Sequence, residues 1–169
     1  MIKYILTVII LSMNLYSPTI ASEEDWNGYN TYKKIYNWLT FSIYVTVKYN
    51  CEINKIDLND YLALIKSESN GNPNAISSAG AKGLSQIMNC HWNKPEELYS
   101  IYLNIRLGTA YYAWCLKYAK GDKREALRFY NAGPNSNKYV YRNYTAYCDV
   151  IIRNSNISKN LEIKKVEIK

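Results

Sequence analysis

Glu68 is the residue of this chain whose type and position best suit acid–base chemistry. It ends the segment 64–68, and no further aspartate or glutamate follows until Glu96. Enzymes that cleave glycosidic bonds commonly use two carboxyl groups, one as the acid and the other as base or nucleophile. With one carboxyl in this stretch, the nucleophile of such a reaction would have to come from elsewhere.

The residues before Glu68 predict that it sits near the end of an amphipathic helix. Asp57 is a suitable N-cap, and Asn70 followed by Gly71 is a typical left-handed stop. The apolar residues between them recur at helical spacing: Leu58, Tyr61, Leu62 and Ile65. A carboxyl at the solvent end of such a stripe is partly desolvated, which raises its pKa and keeps a proton available for a leaving group. The alternative is an ordinary glutamate that reaches solvent from the last helical turn.

Three further segments follow Glu68-Ser69 in the order expected of one family. They are residues 75–88 (AISSAGAKGLSQIM), 104–112 (NIRLGTAYY) and 126–134 (ALRFYNAGP). With Glu68-Ser69 they resemble the four motifs of the lysozyme-like lytic transglycosylases, the SLT domain family, across residues 52 to 153. The resemblance implies an all-α fold, mainly helical and of the goose-type lysozyme class. It also suggests a small member associated with secretion or conjugation.

The same resemblance assigns roles to individual residues. Glu68 would be the catalytic acid, and Ser77 and Gln86 would hold the sugar. Tyr130 would lie close to Glu68, where a phenol can orient the carboxyl, and Asn131 would fix the substrate acetamido group or the local backbone. The structural alternative for Tyr130 and Asn131 is that they only cap the end of a helix. No metal or other cofactor is expected.

The chain departs from the family pattern at three positions within these motifs. Ser85 replaces the usual methionine before Gln86, and Asn89 replaces the usual proline after Met88. Phe129 stands where alanine normally precedes Tyr130. These changes affect the expected shape of the substrate groove more than the expected chemistry.

The resemblance implies cleavage of the β-1,4 bond between N-acetylmuramic acid and N-acetylglucosamine in peptidoglycan. The muramoyl 2-acetamido oxygen would stabilise C1 and the 6-hydroxyl would then attack it, leaving a 1,6-anhydromuramoyl end. Two alternatives remain open at this point. A lysozyme-type muramidase would share the fold but activate water, and a non-catalytic glycan-binding scaffold would keep only the groove.

Composition indicates one exported, globular domain. Hydrophobic residues make up 48% of the 169 residues and eighteen are tyrosine, which argues against disorder across the body of the chain. The net charge of +7 favours association with anionic envelope polymers. Nucleic acid is the weaker alternative, because the basic residues are scattered. Most tyrosines are expected to pack the core, although some would suit a carbohydrate groove.

Residues 1–21 have the pattern of a secretory signal peptide. Lys3 precedes an apolar run, and Thr19-Ile20-Ala21 is a small-x-small cleavage site. We therefore predict a periplasmic or extracellular protein that is soluble after cleavage, with an uncleaved N-terminal anchor as the alternative. Peptidoglycan glycan strands are the predicted partner, together with components of an envelope-spanning secretion, conjugation or pilus machine.

All four cysteines lie after this leader: Cys51, Cys90, Cys115 and Cys148. An even number in an exported chain predicts two disulfides, and the sequence does not fix their connectivity. The pairing of Cys51 with Cys90 and of Cys115 with Cys148 is weakly favoured. A metal site at Cys90 and His91 is the competing interpretation, but no paired C-x-x-C motif accompanies it.

The helical pattern continues to the C-terminal part of the chain. A long helix is predicted to carry Leu107 and Tyr118 and to stop near Gly121, and the next begins after Asp122 as N-cap. A last helix carries Tyr147. We predict a transglycosylase domain over residues 22–154 and a flexible basic tail over residues 155–169.

Overall fold

The computed structural model describes residues 21–135 and 144–167. Six α-helices account for most of this part of the chain, which contains no sheet, so the predicted all-α class is confirmed. The helices are α1 (Glu23–Lys33), α2 (Phe41–Asn54), α3 (Leu58–Ser69), α4 (Ile101–Tyr118), α5 (Lys123–Ala132) and α6 (Tyr144–Glu167). Two short 3-10 helices, Asn89–His91 and Pro95–Tyr99, lie in the connection between α3 and α4.

Helix α3 is the central element of the fold, and it begins and ends where the sequence predicts. The Asp57 side chain accepts the backbone N–H of Asn59 at 2.8 Å, and Asn70 ends the helix in the left-handed conformation with φ of 50°. Tyr61, Leu62 and Ile65 are fully buried. Burying each such side chain contributes about 1.5–3 kcal/mol, so the apolar stripe fixes the helix that carries Glu68.

Two glycines permit close packing around this helix. At Gly71, which has φ of +76°, an added Cβ would lie 2.2 Å from the Trp38 ring. At Gly108, in the middle of α4, a Cβ would lie 2.1 Å from the Tyr61 hydroxyl oxygen. A side chain at either position would therefore displace an aromatic residue that packs against the core.

Helix α6 packs along α3 and corrects the prediction of a flexible tail. The helix runs without interruption to Glu167, well past Asn154. Ser155 and Ser158 are buried, because Ser155 donates to Asp60 and the Ser158 and Tyr36 hydroxyls lie 2.9 Å apart. The polar, lysine-rich composition of residues 155–169 suggested a mobile end, but these serines are satisfied by partners on other helices.

Two ion pairs complete the docking of α6. Lys159 lies 2.5 Å from Asp57 at the N-cap of α3. The buried carboxylate of Asp60 accepts Lys123 from α5 at 2.7 Å as well as Ser155 from α6. Asp60 thus joins three helices at one point.

The predicted leader, residues 1–21, lies almost wholly outside the described residues, which begin at Ala21. Among the helices that are described, none is both long and apolar enough to cross a bilayer. Ser22 caps α1, since its side chain accepts the N–H of Asp25 at 3.1 Å.

No disulfide joins any two of the four cysteines, so the two predicted bridges are absent from the structure. Cys51, Cys115 and Cys148 are buried in the helical core, whereas Cys90 is exposed on the first 3-10 helix. Burial raises the pKa of the Cys51 thiol and raises that of Cys115 to about 12. Three cysteines therefore behave as small apolar core residues, which an even count in the sequence cannot distinguish from bridged ones.

We expect thiol titration to separate Cys90 from the other three. In native protein kept without reductant, one thiol per chain should react promptly, because Cys90 is exposed and the other three cysteines are buried. After denaturation, four should react. Fewer than four under denaturing conditions would mean that a disulfide forms after all.

Candidate active site

Glu68 lies in the last turn of α3, partly buried and partly open to solvent. Burial raises the pKa of its carboxyl from 4.5 to about 7, and a hydrogen bond from Tyr147 opposes part of that rise. Near neutral pH the carboxyl therefore exists in both protonation states, as a group that must first donate and then accept a proton requires. The predicted desolvation of Glu68 agrees with this environment.

Tyr147 is the polar partner of Glu68, and sequence reasoning did not select it as a site residue. Its hydroxyl donates a short hydrogen bond to Glu68 Oε1. The two residues are 79 positions apart, and only the docking of α6 along α3 brings them together. The one sequence signal was that the predicted last helix carried Tyr147 on the same face as the buried Ile151.

Tyr130 does not make the hydrogen bond that the family resemblance suggested. Its hydroxyl donates instead to the backbone carbonyl of Ser85 at 2.8 Å. Tyr130 is buried in α5, and burial raises its pKa well above the usual value, with further contributions from Tyr61 and Glu68. The Tyr130 phenol is therefore close enough to the Glu68 carboxyl to interact with it electrostatically, but it makes no hydrogen bond to it. Tyr147 makes that hydrogen bond.

Ser85, one of the departures from the family pattern, is a fully buried hub beneath the site. Its hydroxyl lies 2.7 Å from the Tyr61 hydroxyl, and its carbonyl accepts from Tyr130. Its backbone N–H donates to Asn104 Oδ1 at 2.7 Å. These bonds fix the loop to α3, α4 and α5 at one residue.

Asn104 holds the remainder of this loop. Its Nδ2 donates to the carbonyls of Lys82 at 2.9 Å and Leu98 at 2.8 Å. The asparagine that opens the third motif thus acts as a scaffold for the second motif. Its buried amide has a partner for each of its polar atoms, as a buried amide requires.

Gln86 and Ser77 also make bonds within the loop. Gln86 has φ of +49°, and its Nε2 donates to the carbonyls of Gly83 at 3.0 Å and Ala75 at 3.3 Å. Ser77 Oγ accepts the N–H of Ala81 at 3.0 Å. Both side chains remain partly exposed, so each has a surface that a ligand can reach. Asn131, at the end of α5, is exposed.

The residue after Glu68 links the helix end to this loop. Ser69 Oγ donates to the carbonyl of Leu84 at 2.8 Å, next to Ser85. The end of α3 and the loop are therefore held together. The serine of the Glu-Ser pair in the first motif thus has a structural role, which is to anchor the loop beside Glu68. Within the described residues, no group of histidine, cysteine, aspartate and glutamate side chains is arranged to hold a metal ion.

We expect Tyr147→Phe to shift the pH dependence of activity to higher pH. The Tyr147 hydrogen bond lowers the pKa of Glu68, so its loss raises that pKa and keeps the acid protonated further into the alkaline range. A hydrogen bond to a charged group corresponds to a shift of roughly one to two pH units in the alkaline limb. A pH–rate profile of the purified variant measures it.

Tyr130→Phe is the matched control for this experiment. It removes a hydroxyl that bonds a backbone carbonyl, so it should lower stability by about 1 kcal/mol and leave the alkaline limb in place. If Tyr130→Phe shifts the profile and Tyr147→Phe does not, the bonding partner of Glu68 has been misassigned.

Comparison with known proteins supports the same fold and family. The profile of the "Transglycosylase SLT domain" family matches residues 46–149. The structure is similar to lytic transglycosylase Slt from Pseudomonas aeruginosa, solved as an inactive mutant, with TM-score 0.62 and 19% identity over 69% of this chain. It is also similar to the 70 kDa soluble lytic transglycosylase from Escherichia coli, with TM-score 0.51 and 22% identity. No curated protein matches.

The two solved structures differ from this chain in extent. The similarity covers 24% of the Pseudomonas aeruginosa chain and 21% of the Escherichia coli chain. At this identity the likeness concerns the fold of one domain. The family profile, in contrast, covers more than half of the present sequence and includes Glu68, the loop around Gln86, and Tyr130. The chain therefore belongs to the transglycosylase SLT domain family.

Proposed function

We propose that the chain is a peptidoglycan lytic transglycosylase that cleaves the bond between N-acetylmuramic acid and N-acetylglucosamine with Glu68 as its single acid–base residue. The observation that carries this proposal is the environment of Glu68. Burial raises the pKa of its carboxyl to about 7, and among the described residues no second carboxylate contributes to that shift.

The proposed reaction takes two proton transfers at one carboxyl. Protonated Glu68 gives its proton to the glycosidic oxygen as the bond from C1 to that oxygen breaks. The muramoyl acetamido oxygen bonds to C1 and stabilises the positive charge that develops there. The 6-hydroxyl oxygen then attacks C1, its proton passes to the Glu68 carboxylate, and the acetamido oxygen leaves. The product has a 1,6-anhydro ring, and no water is consumed.

Among the described residues no carboxylate perturbs Glu68, which favours this reaction over that of a two-carboxylate muramidase. A retaining hydrolase places its two carboxyl groups about 5–5.5 Å apart, and an inverting one about 6.5–9.5 Å apart. A second ionised carboxyl at either separation would raise the pKa of Glu68 further. Within the described part of the chain, the causes of the pKa shift of Glu68 are burial and the Tyr147 hydrogen bond. A nucleophile within the substrate therefore fits this site better than one on the protein.

The proposed roles of the other residues follow their positions. Tyr147 orients the Glu68 carboxyl, and Tyr130 supports the loop beneath it. We assign the partly exposed Gln86 and Ser77 to sugar binding, together with the exposed Asn131 at the end of α5. In the proposed reaction Glu68 transfers the proton, and none of these residues does.

Mass spectrometry of the soluble products from purified peptidoglycan tests the proposal. We expect muropeptides 18 mass units lighter than their hydrolysed counterparts, since an internal ether replaces the reducing end. Products with free reducing ends would instead identify a muramidase. Binding without any product would identify a glycan-binding scaffold.

We further propose local opening of the cell wall for an envelope-spanning secretion, conjugation or pilus machine as the biological role. The support is the compact helical domain and the basic balance of charge, which suits an anionic wall. Cross-linking in cells followed by identification of the captured proteins tests it, and capture of wall-synthesis proteins alone would contradict it.

A further inference from the structure

A cavity of about 720 Å³ lies between the C-terminal ends of α2 and α4. Its lining is Asn54, Ala110, Ala113, Trp114, Lys117, Tyr118 and Lys120. None of these residues is assigned a part in the cleavage reaction. The volume is within the range of sites that bind small organic molecules and short peptides.

The cavity combines an apolar floor with uncompensated positive charge. Ala110 and Ala113 present methyl groups, and Trp114 adds a partly buried indole. Lys117 and Lys120 are exposed at the rim, and neither takes part in an ion pair among the described residues. An occupant of this cavity should therefore be anionic and carry small aliphatic groups.

The lysines are not needed to close the ends of the helices. At the end of α4, the Gly121 N–H donates to the carbonyl of Leu116 at 2.9 Å, and the Lys120 N–H donates to that of Lys117 at 3.1 Å. At the end of α2, the Ile56 N–H donates to the carbonyl of Cys51 at 3.0 Å. Backbone bonds thus satisfy these last carbonyls, which leaves both ammonium groups available to a ligand.

A ladder of aromatic rings connects the cavity to the candidate active site. Tyr118 stacks on Trp114 with ring centroids 5.0 Å apart, and Trp114 stacks on Tyr111 at 5.8 Å. Tyr111 in turn contacts Tyr130 at 5.2 Å, and Tyr130 supports the loop beneath Glu68. The ring contacts therefore lead from the cavity along α4 to Tyr130 of α5, which is buried.

Residues 1–20, 136–143 and 168–169 contain four basic residues and no acidic residue, so their side chains do not match the charge of the rim. An acidic molecule from outside the chain matches it better.

We infer that the cavity binds the acidic stem peptide that the muramoyl lactyl group of peptidoglycan carries. Stem peptides carry both carboxylates and alanine methyl groups, which match the two lysines and the apolar floor. This inference rests on the proposed function, because it takes peptidoglycan as the substrate. The cavity would hold a peptide while the candidate active site holds the glycan strand from which that peptide branches.

Calorimetric titration with a free stem peptide tests the inference separately from catalysis. The probe is L-Ala-γ-D-Glu-meso-diaminopimelate-D-Ala, added to the Glu68→Gln protein so that no cleavage is needed. We expect saturable binding that the double change Lys117→Glu with Lys120→Glu weakens at least tenfold. The control is Lys34→Glu with Arg153→Glu, an equal change of charge at exposed residues away from the cavity, which should alter the affinity less than twofold.

Four results would overturn the inference. If the peptide does not bind, the cavity is not a peptide site. If both double changes weaken binding equally, the two lysines act only through the net positive charge of the protein. Tighter binding of an L-Ala-L-Glu repeat peptide would identify a protein segment as the occupant. A concentration-dependent dimer that the lysine changes abolish, measured by sedimentation without peptide, would identify a second copy of the chain.

Steady-state kinetics with the active protein give an independent test. On intact peptidoglycan the Lys117→Glu and Lys120→Glu protein should show a KM raised several-fold with kcat retained. On glycan strands from which an amidase has removed the peptides, the KM and kcat of this variant should equal those of the unaltered protein. A chain that binds the peptide and yields no anhydro product would refute the proposed function and leave the peptide site standing.

Discussion

Replacing Glu68 with glutamine should abolish glycan cleavage while leaving the fold intact. The amide has nearly the shape of the carboxyl and can still accept the Tyr147 hydrogen bond, but it cannot donate and recover a proton. Loss of general acid–base catalysis lowers a rate by about two to four orders of magnitude. Release of soluble muropeptides, with circular dichroism to verify folding, measures the effect. Cleavage at the unaltered rate by the folded variant would remove Glu68 from its proposed role.

The same variant should be more stable than the unaltered protein at alkaline pH. The pKa of Glu68 is about 7 in the folded chain and 4.5 as the ordinary value, so the folded state binds the proton more tightly. Stability from this group is present below about pH 4.5 and is lost as pH rises through about 7. Glutamine avoids the buried charge, and the gain at pH 8 should be on the order of 3 kcal/mol, vanishing near pH 4. Denaturant unfolding at the two pH values tests it.

Replacing Asp60 with alanine should lower the free energy of unfolding by about 3 kcal/mol. The buried carboxylate accepts Lys123 and Ser155, so its loss leaves a serine hydroxyl without its partner inside the core. Lys123 is partly exposed and can turn to water, which places the expected value at the low end for a broken buried ion pair. The melting temperature should fall by roughly 10 °C.

Asp149→Ala is the matched control for the Asp60 change. Asp149 of α6 pairs with Arg124 of α5, which are two of the three helices that Asp60 joins, but both side chains are about half exposed. An exposed ion pair contributes about 0–1 kcal/mol, so this variant should unfold almost like the unaltered protein. Similar losses from both changes would mean that the Asp60 network adds no more than a surface pair. A loss confined to Asp60→Ala would support the network as the anchor of α6, which carries Tyr147.

Local signals in the sequence were sufficient to predict the helix that bears Glu68. Its cap, its apolar stripe and its left-handed stop are all encoded within the segment from Asp57 to Asn70, and the structure confirms each. The same holds for Asp122, whose side chain accepts the N–H of Glu125 at 3.0 Å. Such features depend only on residues that are close in sequence, so they can be predicted from the sequence alone.

The features that were missed depend on contacts between distant segments. Tyr147 reaches Glu68 only because α6 continues along α3. Polar side chains of α6 hold it there through hydrogen bonds to Asp60 and Tyr36 and an ion pair with Asp57. Composition alone made residues 155–169 resemble a solvated end. The cysteines show the same limit, since burial of a thiol and formation of a disulfide leave the same count in the sequence.

The buried serine at position 85 contacts two other positions closely enough that the three should change together in evolution. Its hydroxyl meets the Tyr61 hydroxyl, and the space around both exists because Gly108 has no side chain. A flexible methionine at position 85 would fill this volume and remove the hydroxyl that contacts the Tyr61 hydroxyl. Among related chains, we therefore expect serine at this position to co-vary with tyrosine at position 61, and methionine with a residue that lacks the hydroxyl.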